Sequence, residues 1–172
     1  MLKVLGAALV VVASGMIGLT ISREYQQRPG QLRDLQAALQ LLDTEIGYAS
    51  TPLPDAVVKV GKCVGPPVAG LFSEVAQLLR TRKGYTATEA WQEALKKLQL
   101  NSALRPADLE ILFTFGHTLG GTNKEEQRKS IQLAYQQLKQ QQGQAEEERA
   151  RNETLWRYAG FLVGMLLVIL IY

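Results

Sequence analysis

The chain has 172 residues, of which 47% are hydrophobic, with a formal net charge of +3 and one cysteine, Cys63. This length favours one modest domain, and a single cysteine excludes an intramolecular disulfide and a thiolate metal cluster. The net charge is far below that of the dense basic surface of a nucleic-acid-binding domain, and a weak attraction to anionic lipid is the simpler interpretation.

The first predicted element is a membrane-spanning helix at residues 4–21, which carry no charged side chain. As a helix, this stretch would extend about 27 Å, close to the thickness of the bilayer hydrocarbon. The alternative is a cleaved signal peptide that begins with Lys3 and has its cleavage site at residues 13–15. Basic residues directly after the stretch oppose export and favour an uncleaved anchor; they are Arg23, Arg28 and Arg33.

The last predicted element is a second membrane span. Residues 158–172 are uncharged but slightly short for a span. Adding Leu155 and Trp156, with Arg157 extending its charged end to the interface, gives a spanning length. The alternative is a helix that lies in the interface, but residues 160–171 are apolar on every side and provide no polar face for water.

The orientation follows from the positions of lysine and arginine. Only Lys3 precedes the first span, and no basic residue follows the second. Because basic residues accumulate on the cytoplasmic side, both spans place the middle of the chain in the cytoplasm. We therefore predict transmembrane helices at residues 1–22 and 157–172 and a cytoplasmic helical bundle at residues 23–156.

Each predicted span also contains two small residues four positions apart. Ser14 and Gly18 form one pair, and Gly160 and Gly164 form the other. Small residues let helix backbones approach closely, so these pairs predict that the two spans pack against each other. The alternative is that glycine is simply frequent in membrane helices.

The middle of the chain has the apolar spacing of helices and no useful alternation of the strand type. A joint is expected at residues 28–30, with Pro29 in the first turn of a new helix. In the fifth helix we expect Leu109, Leu112, Phe113, Gly116 and Leu119 to point inward. The six helices are expected at about residues 29–49, 54–64, 67–82, from Thr86 or Thr88 to 100, 106–119 and 124–157, the last continuing into the second span.

The predicted fold is therefore all-α: an antiparallel six-helix bundle flanked by an N-terminal and a C-terminal transmembrane helix. An even number of helices returns the chain to its starting side, as two anchors in one membrane require. The membrane-distal loops are then residues 50–53, 82–85 and 120–123. A basic face towards lipid is expected at the other end, with ordinary solvated charge as the alternative; its residues are Arg23, Arg28, Arg105, Arg151 and Arg157.

No pattern indicates catalysis, a cofactor or a metal site. His117 is the only histidine, which excludes a histidine-rich metal site. It also leaves Cys63 without a partner in a compact dyad. Residues 119–124 superficially suggest a phosphate-binding loop, but the glycine and lysine spacing is absent and no strand precedes them. An interaction module without enzymatic activity is therefore predicted.

Three local patterns together resemble the stage III sporulation protein AB family of endospore-forming bacteria, and they cover nearly the whole chain. They are Arg28-Pro29, Leu32-Arg33, Leu35-Gln36, Leu39, Leu42, Glu45-Ile46, Tyr48 and Thr51-Pro52-Leu53; Phe115-Gly116-His117-Thr118-Leu119-Gly120; and Asn152-Glu153, Trp156, Gly160-Phe161 and Gly164. The resemblance implies a component of the secretion-like channel between mother cell and forespore. It also implies a fold similar to the cytoplasmic domains of type II secretion inner-membrane platform proteins.

The resemblance further implies a location in the mother-cell membrane around the forespore. The expected partners are membrane lipid, the secretion-type ATPase called stage III sporulation protein AA and other channel proteins, without nucleic acid or a small-molecule substrate. We expect the ATPase at the membrane-distal loops, with candidate contacts at Thr51, Leu53, Arg82, Tyr85 and Thr122. The main alternative is a transporter or channel subunit acting in its own right, which the lack of ionisable residues in the spans disfavours. An enzyme and a membrane tether for nucleic acid are weaker alternatives.

Overall fold

The computed structural model describes the backbone of residues 2–47, 49, 51–81, 84–120 and 123–171, and the side chains of residues 25–47, 49, 51–81, 84–120 and 123–152. Within these ranges the chain forms six helices and no strand. The helices are α1 (Leu2–Gly47), α2 (Leu53–Cys63), α3 (Val68–Arg80), α4 (Ala87–Asn101), α5 (Pro106–Gly116) and α6 (Lys124–Ile171).

The chain divides into two compact units. One unit, the bundle, comprises residues 28–143, and the other comprises residues 1–27 and 144–172. The predicted bundle range of residues 23–156 stays a prediction. Among the residues whose side chains are described, no helix has a stretch long and apolar enough to cross a membrane. The side chains of the two predicted spans lie outside these residues, as do those of the paired small residues Ser14, Gly18, Gly160 and Gly164.

The predicted joint at residues 28–30 is wrong, because α1 continues through Pro29 without interruption. A proline removes one backbone donor from a helix but keeps a helical φ. The packing of α1 outweighs this loss, since Leu32, Leu35, Leu39 and Leu42 are each at most 1% exposed. At the other end, the expected single helix running on from Lys124 is confirmed by α6, whose backbone is continuous past Gly143.

Contacts between helix ends show antiparallel pairing: Asp55 near the start of α2 pairs with Arg80 at the end of α3, and Trp91 near the start of α4 contacts Phe115 near the end of α5. α2 packs on α3, α3 on α4 and α4 on α5. α1 and α6 are joined near one end by the pair Asp43–Arg128, at 3.1 Å between Oδ1 and Nε, and further along by Gln36 and Gln142, at 2.6 Å between Nε2 and Oε1. Because residue numbers rise along one helix as they fall along the other, α1 and α6 are also antiparallel.

Trp91 on α4 lies at the centre of the core and is fully buried. Its ring makes edge-to-face contacts with Phe72 on α3, at 5.7 Å between centroids, and with Phe115 on α5, at 5.3 Å. Its Nε1–H donates to the carbonyl oxygen of Leu112 at 2.8 Å. Gly116 faces the same ring so closely that an added Cβ would overlap the indole. Trp91 therefore joins three helices and requires glycine at position 116.

The predicted inward position of Phe113 is wrong. Phe113 is 41% exposed and packs edge-to-face on the exposed His117, while Phe115 is 2% exposed. Helical spacing is compatible with either phenylalanine on the buried face. The rotation of α5 about its axis is set by contacts on its buried side. These contacts are the Trp91 ring against Phe115 and the buried carboxylate of Asp108.

The end of the bundle that contains Arg28 is here called the base. The Arg28 guanidinium binds the Asp108 carboxylate through two hydrogen bonds, of 2.8 Å and 2.9 Å. It also donates to Gln141 Oε1 at 3.0 Å, so one side chain joins α1, α5 and α6. Asp108 accepts the backbone N–H of Arg105 as well, at 2.8 Å. Both charged side chains are buried, at 5% and 0% exposure.

This geometry corrects the predicted basic face. Arg28 was expected to meet lipid, but its charge is paired inside the protein because a buried charge requires a partner. Arg105 is half-buried and Arg151 is exposed. The side chains of Arg23 and Arg157 lie outside the described residues.

Candidate functional site

The end of the bundle opposite the base is here called the tip, and it brings together the three loops expected to dock a partner. It contains the C-terminal ends of α1, α3 and α5 and the N-terminal ends of α2, α4 and α6. Ion pairs join these ends: Asp43 on α1 with Arg128 on α6, and Asp55 on α2 with Arg80 on α3, at 3.0 Å. The predicted grouping of the loops therefore agrees with the antiparallel order of the helices.

The α1–α2 loop carries Thr51 and Leu53, both half-buried. The Thr51 hydroxyl donates to Glu45 Oε2 at 2.7 Å, and Lys59 Nζ donates to the same oxygen at 2.7 Å. The Thr51 N–H also donates to the Glu45 carbonyl at 2.9 Å. Thr51 is thus committed to holding the loop against α1, while Leu53 opens α2 with Pro52 as its N-cap residue.

These hydrogen bonds affect the acidity of Glu45. The Lys59 ammonium and then the Thr51 hydroxyl favour the charged carboxylate, so the pKa of Glu45 lies below 4.5. Such a group stabilises the folded state above its pKa in the unfolded chain, and this contribution is lost as the pH falls through the lower, folded-state pKa. The free energy of unfolding is therefore expected to decrease as the pH is lowered from about 4.5. This decrease should be less steep in Glu45→Gln.

An NMR titration of the Glu45 carboxyl group measures this effect directly. Lys59→Met removes the first donor and should return the pKa towards 4.5, and Thr51→Val should produce a smaller change in the same direction. A Glu45 carboxyl that titrates at 4.5 or above in the unmodified protein would contradict the assigned contacts.

The α3–α4 loop is built around a capped helix start. The Thr86 hydroxyl accepts the N–H of Glu89, and the Glu89 carboxylate accepts the N–H of Thr86 at 2.9 Å. This capping box confirms Thr86, rather than Thr88, as the N-cap. The backbone donor from Thr86 lowers the pKa of Glu89. Gly84 has a φ of +73°, a conformation that side chains disfavour, and Tyr85 beside it is half-buried.

The α5–α6 loop is held against α4. Gly120 has a φ of +85°, and a Cβ there would lie 2.7 Å from that of Ala87. The Thr88 hydroxyl donates to the Leu119 carbonyl at 3.4 Å. Asn123 Oδ1 accepts the N–H of Glu125 at 2.7 Å and caps α6. Of the candidate contacts, Arg82 and Thr122 lie outside the described residues.

Sequence reasoning missed the polar contacts that hold the tip together. Asp43 and Arg128 are 85 positions apart, and Asp55 and Arg80 are 25 apart. Helical spacing identifies pairs only within one helix, so no signal in a single sequence connects these residues. Thr51 stays a predicted partner contact, and its hydroxyl donates to Glu45 within the chain.

Comparison with known proteins adds three findings. Residues 3–172 match the family model described as stage III sporulation protein AB. The stage III sporulation protein AB of Bacillus subtilis (strain 168) is 39% identical over 171 residues, which is 99% of each chain. The solved structure of a stage III sporulation protein AB superposes with a TM-score of 0.68 at 37% identity, covering 73% of this chain and 98% of that one.

The chain belongs to the stage III sporulation protein AB family. This membership confirms the resemblance found in the sequence and assigns the chain a role in sporulation. The all-helical fold of the described residues agrees with the solved family structure.

Proposed function

We propose that this chain is a membrane-anchored assembly platform, without enzymatic activity, of a secretion-like channel between mother cell and forespore. Its two terminal helices lie in the mother-cell membrane around the forespore, with the bundle in the cytoplasm. The tip binds a secretion-type ATPase, stage III sporulation protein AA, and other channel proteins bind elsewhere on the platform.

The observation that supports this proposal most is that the base and the tip lie at opposite ends of a bundle whose family acts in sporulation. The bundle part of α1 begins at the base, and the bundle part of α6 ends there, as the hydrogen bond from Arg28 to Gln141 shows. All three candidate docking loops lie at the opposite end. A chain entering and leaving a bundle at the same end presents its other end to a partner, as a platform requires.

We expect Leu53→Glu and Tyr85→Glu each to weaken ATPase binding by at least about tenfold, because charge in an interface core costs about 1.4 kcal/mol or more. Both residues are half-buried at the tip. An acidic residue at position 53, in the first turn of α2, also favours the helix electrostatically, so that variant should fold. Titration of the full chain in detergent micelles with the purified ATPase measures the affinity.

Leu100→Glu is the matched control. Leu100 is 83% exposed near the C-terminal end of α4, next to the α4–α5 loop at the base. The same change there should leave ATPase affinity within about twofold of the unmodified protein. Equal affinities for the control and the two tip variants, with melting temperatures preserved, would contradict docking at the tip.

A further inference from the structure

The outer face of α5 carries an aromatic ring and a carboxylate that lie outside the core. Glu110 and Phe113 are on α5, His117 is its C-cap residue, and all three are exposed. They occupy positions i, i+3 and i+7, and residues three and four apart are neighbours on a helix surface. The three side chains therefore form one row, here called the α5 strip, on the side of the bundle between the base and the tip.

The Glu110 carboxylate has no counter-charge in the described part of the chain. Among the residues whose side chains are described, it forms no hydrogen bond and no ion pair. The other acid of α5, Asp108, is bound to Arg28, and α5 contains no basic residue. On the neighbouring α4, Lys96 and Lys97 each pair with a glutamate, at 2.8 Å and 2.6 Å. The α5 strip therefore presents a negative charge that is available to a ligand.

The Phe113 ring is held in position while part of it stays open. Phe113 is 41% exposed, and its ring centroid lies 4.8 Å from that of the His117 imidazole, with the two rings at 83°. A single exposed apolar side chain is ordinary on a protein surface. Phe113 differs because a second ring restrains it and an unpaired carboxylate lies one turn away. A ring that is already restrained loses little conformational entropy when a ligand binds to it.

A ring beside a carboxylate is a suitable environment for a cation. The face of an aromatic ring is negative and attracts a cation within about 6 Å of its centroid. The Cβ atoms of residues i and i+3 in a helix are about 5–6 Å apart, so one cationic group can reach both Glu110 and Phe113. Arginine fits better than lysine, because its planar guanidinium stacks on a ring and presents a fork of donors to a carboxylate.

We propose that the α5 strip binds an arginine side chain of a partner protein, with the guanidinium paired with Glu110 and stacked on Phe113. His117 supports the ring from the same side of the helix. The partner lies against the side of the bundle, so this contact goes beyond the docking of an ATPase at the tip and does not depend on it. Arginine and aromatic residues are the usual sources of binding energy at an interface.

An NMR titration of the full chain in detergent micelles with N-acetyl-arginine amide tests the strip. His117 is the only histidine, so its imidazole gives a single reporter signal, and the Glu110 carboxyl group gives a second. We expect both signals to shift in a saturable way at constant ionic strength. N-acetyl-lysine amide should bind at least about threefold more weakly. N-acetyl-citrulline amide, which has nearly the same shape without the charge, should cause no saturable shift.

Two variants and a matched control locate the binding site. Glu110→Gln should weaken binding of the arginine probe by about threefold or more, as expected for the loss of one exposed ion pair. Phe113→Leu keeps an apolar side chain and should weaken binding by a similar factor, because the cation–π contact is lost. Glu126→Gln is the control: it removes the same charge from an exposed position of α6 that has no aromatic residue within one turn. This variant should bind the probe as the unmodified protein does.

Equal binding of the arginine and lysine probes, or the same affinity in Glu110→Gln as in Glu126→Gln, would overturn the proposal. Dilution of the chain without a probe distinguishes a second copy from another protein. If the His117 signal moves with protein concentration and Glu110→Gln abolishes this movement, a second copy occupies the strip and the proposal is wrong. Because the sample contains no ATPase, these outcomes are independent of the docking test at the tip.

Discussion

Replacing Asp108 with asparagine is expected to lower the free energy of unfolding by about 3–5 kcal/mol, because a buried arginine is left without its counter-charge. Asp108 is fully buried and binds Arg28 through both carboxylate oxygens. Asparagine has nearly the same shape and keeps one oxygen acceptor, but it removes the charge and replaces the other acceptor by an NH2 group. Urea unfolding of the full chain, followed by helical circular dichroism, measures the difference.

Two further variants separate the ion pair from general damage to the bundle. Replacing both partners, as Arg28→Met/Asp108→Leu, removes the uncompensated charge and should recover most of the lost stability. Arg80→Met breaks the exposed pair with Asp55, whose two side chains are 58% and 59% exposed, and should cost about 1 kcal/mol or less. A cost for Asp108→Asn no greater than that for Arg80→Met would show that the buried pair is unimportant.

Replacing Trp91 with alanine is expected to cost about 3–5 kcal/mol, the usual range for removing a large buried aromatic side chain. The loss combines apolar area, two edge-to-face contacts and the hydrogen bond from Nε1 to the Leu112 carbonyl. Phe113→Ala is the control on the outside of α5. It removes a ring that is 41% exposed, and we expect a cost of about 1 kcal/mol or less. The same urea titration measures both.

A double-mutant cycle tests the geometry around Trp91. Gly116→Ala alone should cost about 1–3 kcal/mol, because its Cβ overlaps the indole and the core has no spare room. In the Trp91→Ala background the indole is absent, and the same change should cost much less. Additive effects in the double variant would contradict the packing of Gly116 on Trp91, since residues in contact are expected to be coupled.

Local patterns in the sequence account for much of the bundle. The spacing of leucines in α1 correctly predicts its buried face, and Pro106 correctly predicts the start of α5. Thr86, one of the two predicted N-caps of α4, is confirmed, whereas the expected end of the fifth helix at residue 119 is wrong because α5 ends at Gly116. The correctly predicted features depend on residues within one or two helical turns of each other, so a single sequence contains the necessary information.

The predictions that failed concern features that depend on contacts between residues far apart in the sequence. The pattern at Pro29 indicates a helix start, yet α1 continues past Pro29 because the helix packs on the bundle. Arg28 follows a predicted span, which indicates a lipid-facing residue. In the structure it pairs instead with Asp108, which lies 80 positions away. Phe113 and Phe115 are equally apolar, and only the position of Trp91 decides which ring is buried.

The candidate docking site was predicted at the level of loops and not of contacts. The helix count placed three loops at one end of the bundle, and the structure groups the ends that flank them. The sequence could not show that the Thr51 hydroxyl donates to Glu45, or that Asp43 and Asp55 each form an ion pair with a residue of another helix. Those contacts depend on the rotation and register of each helix, which are set by the whole core.

The sequence by itself determined the family, the helical class, the starts of α4 and α5, and the antiparallel order. Each of these depends on short-range chemistry or on counting helices. Only the tertiary structure decided which of two phenylalanines is buried, that α1 is continuous, and that Arg28 and Asp108 join three helices. These outcomes depend on close packing between residues far apart in the chain, where a contact is favourable only after every neighbouring helix has taken its place.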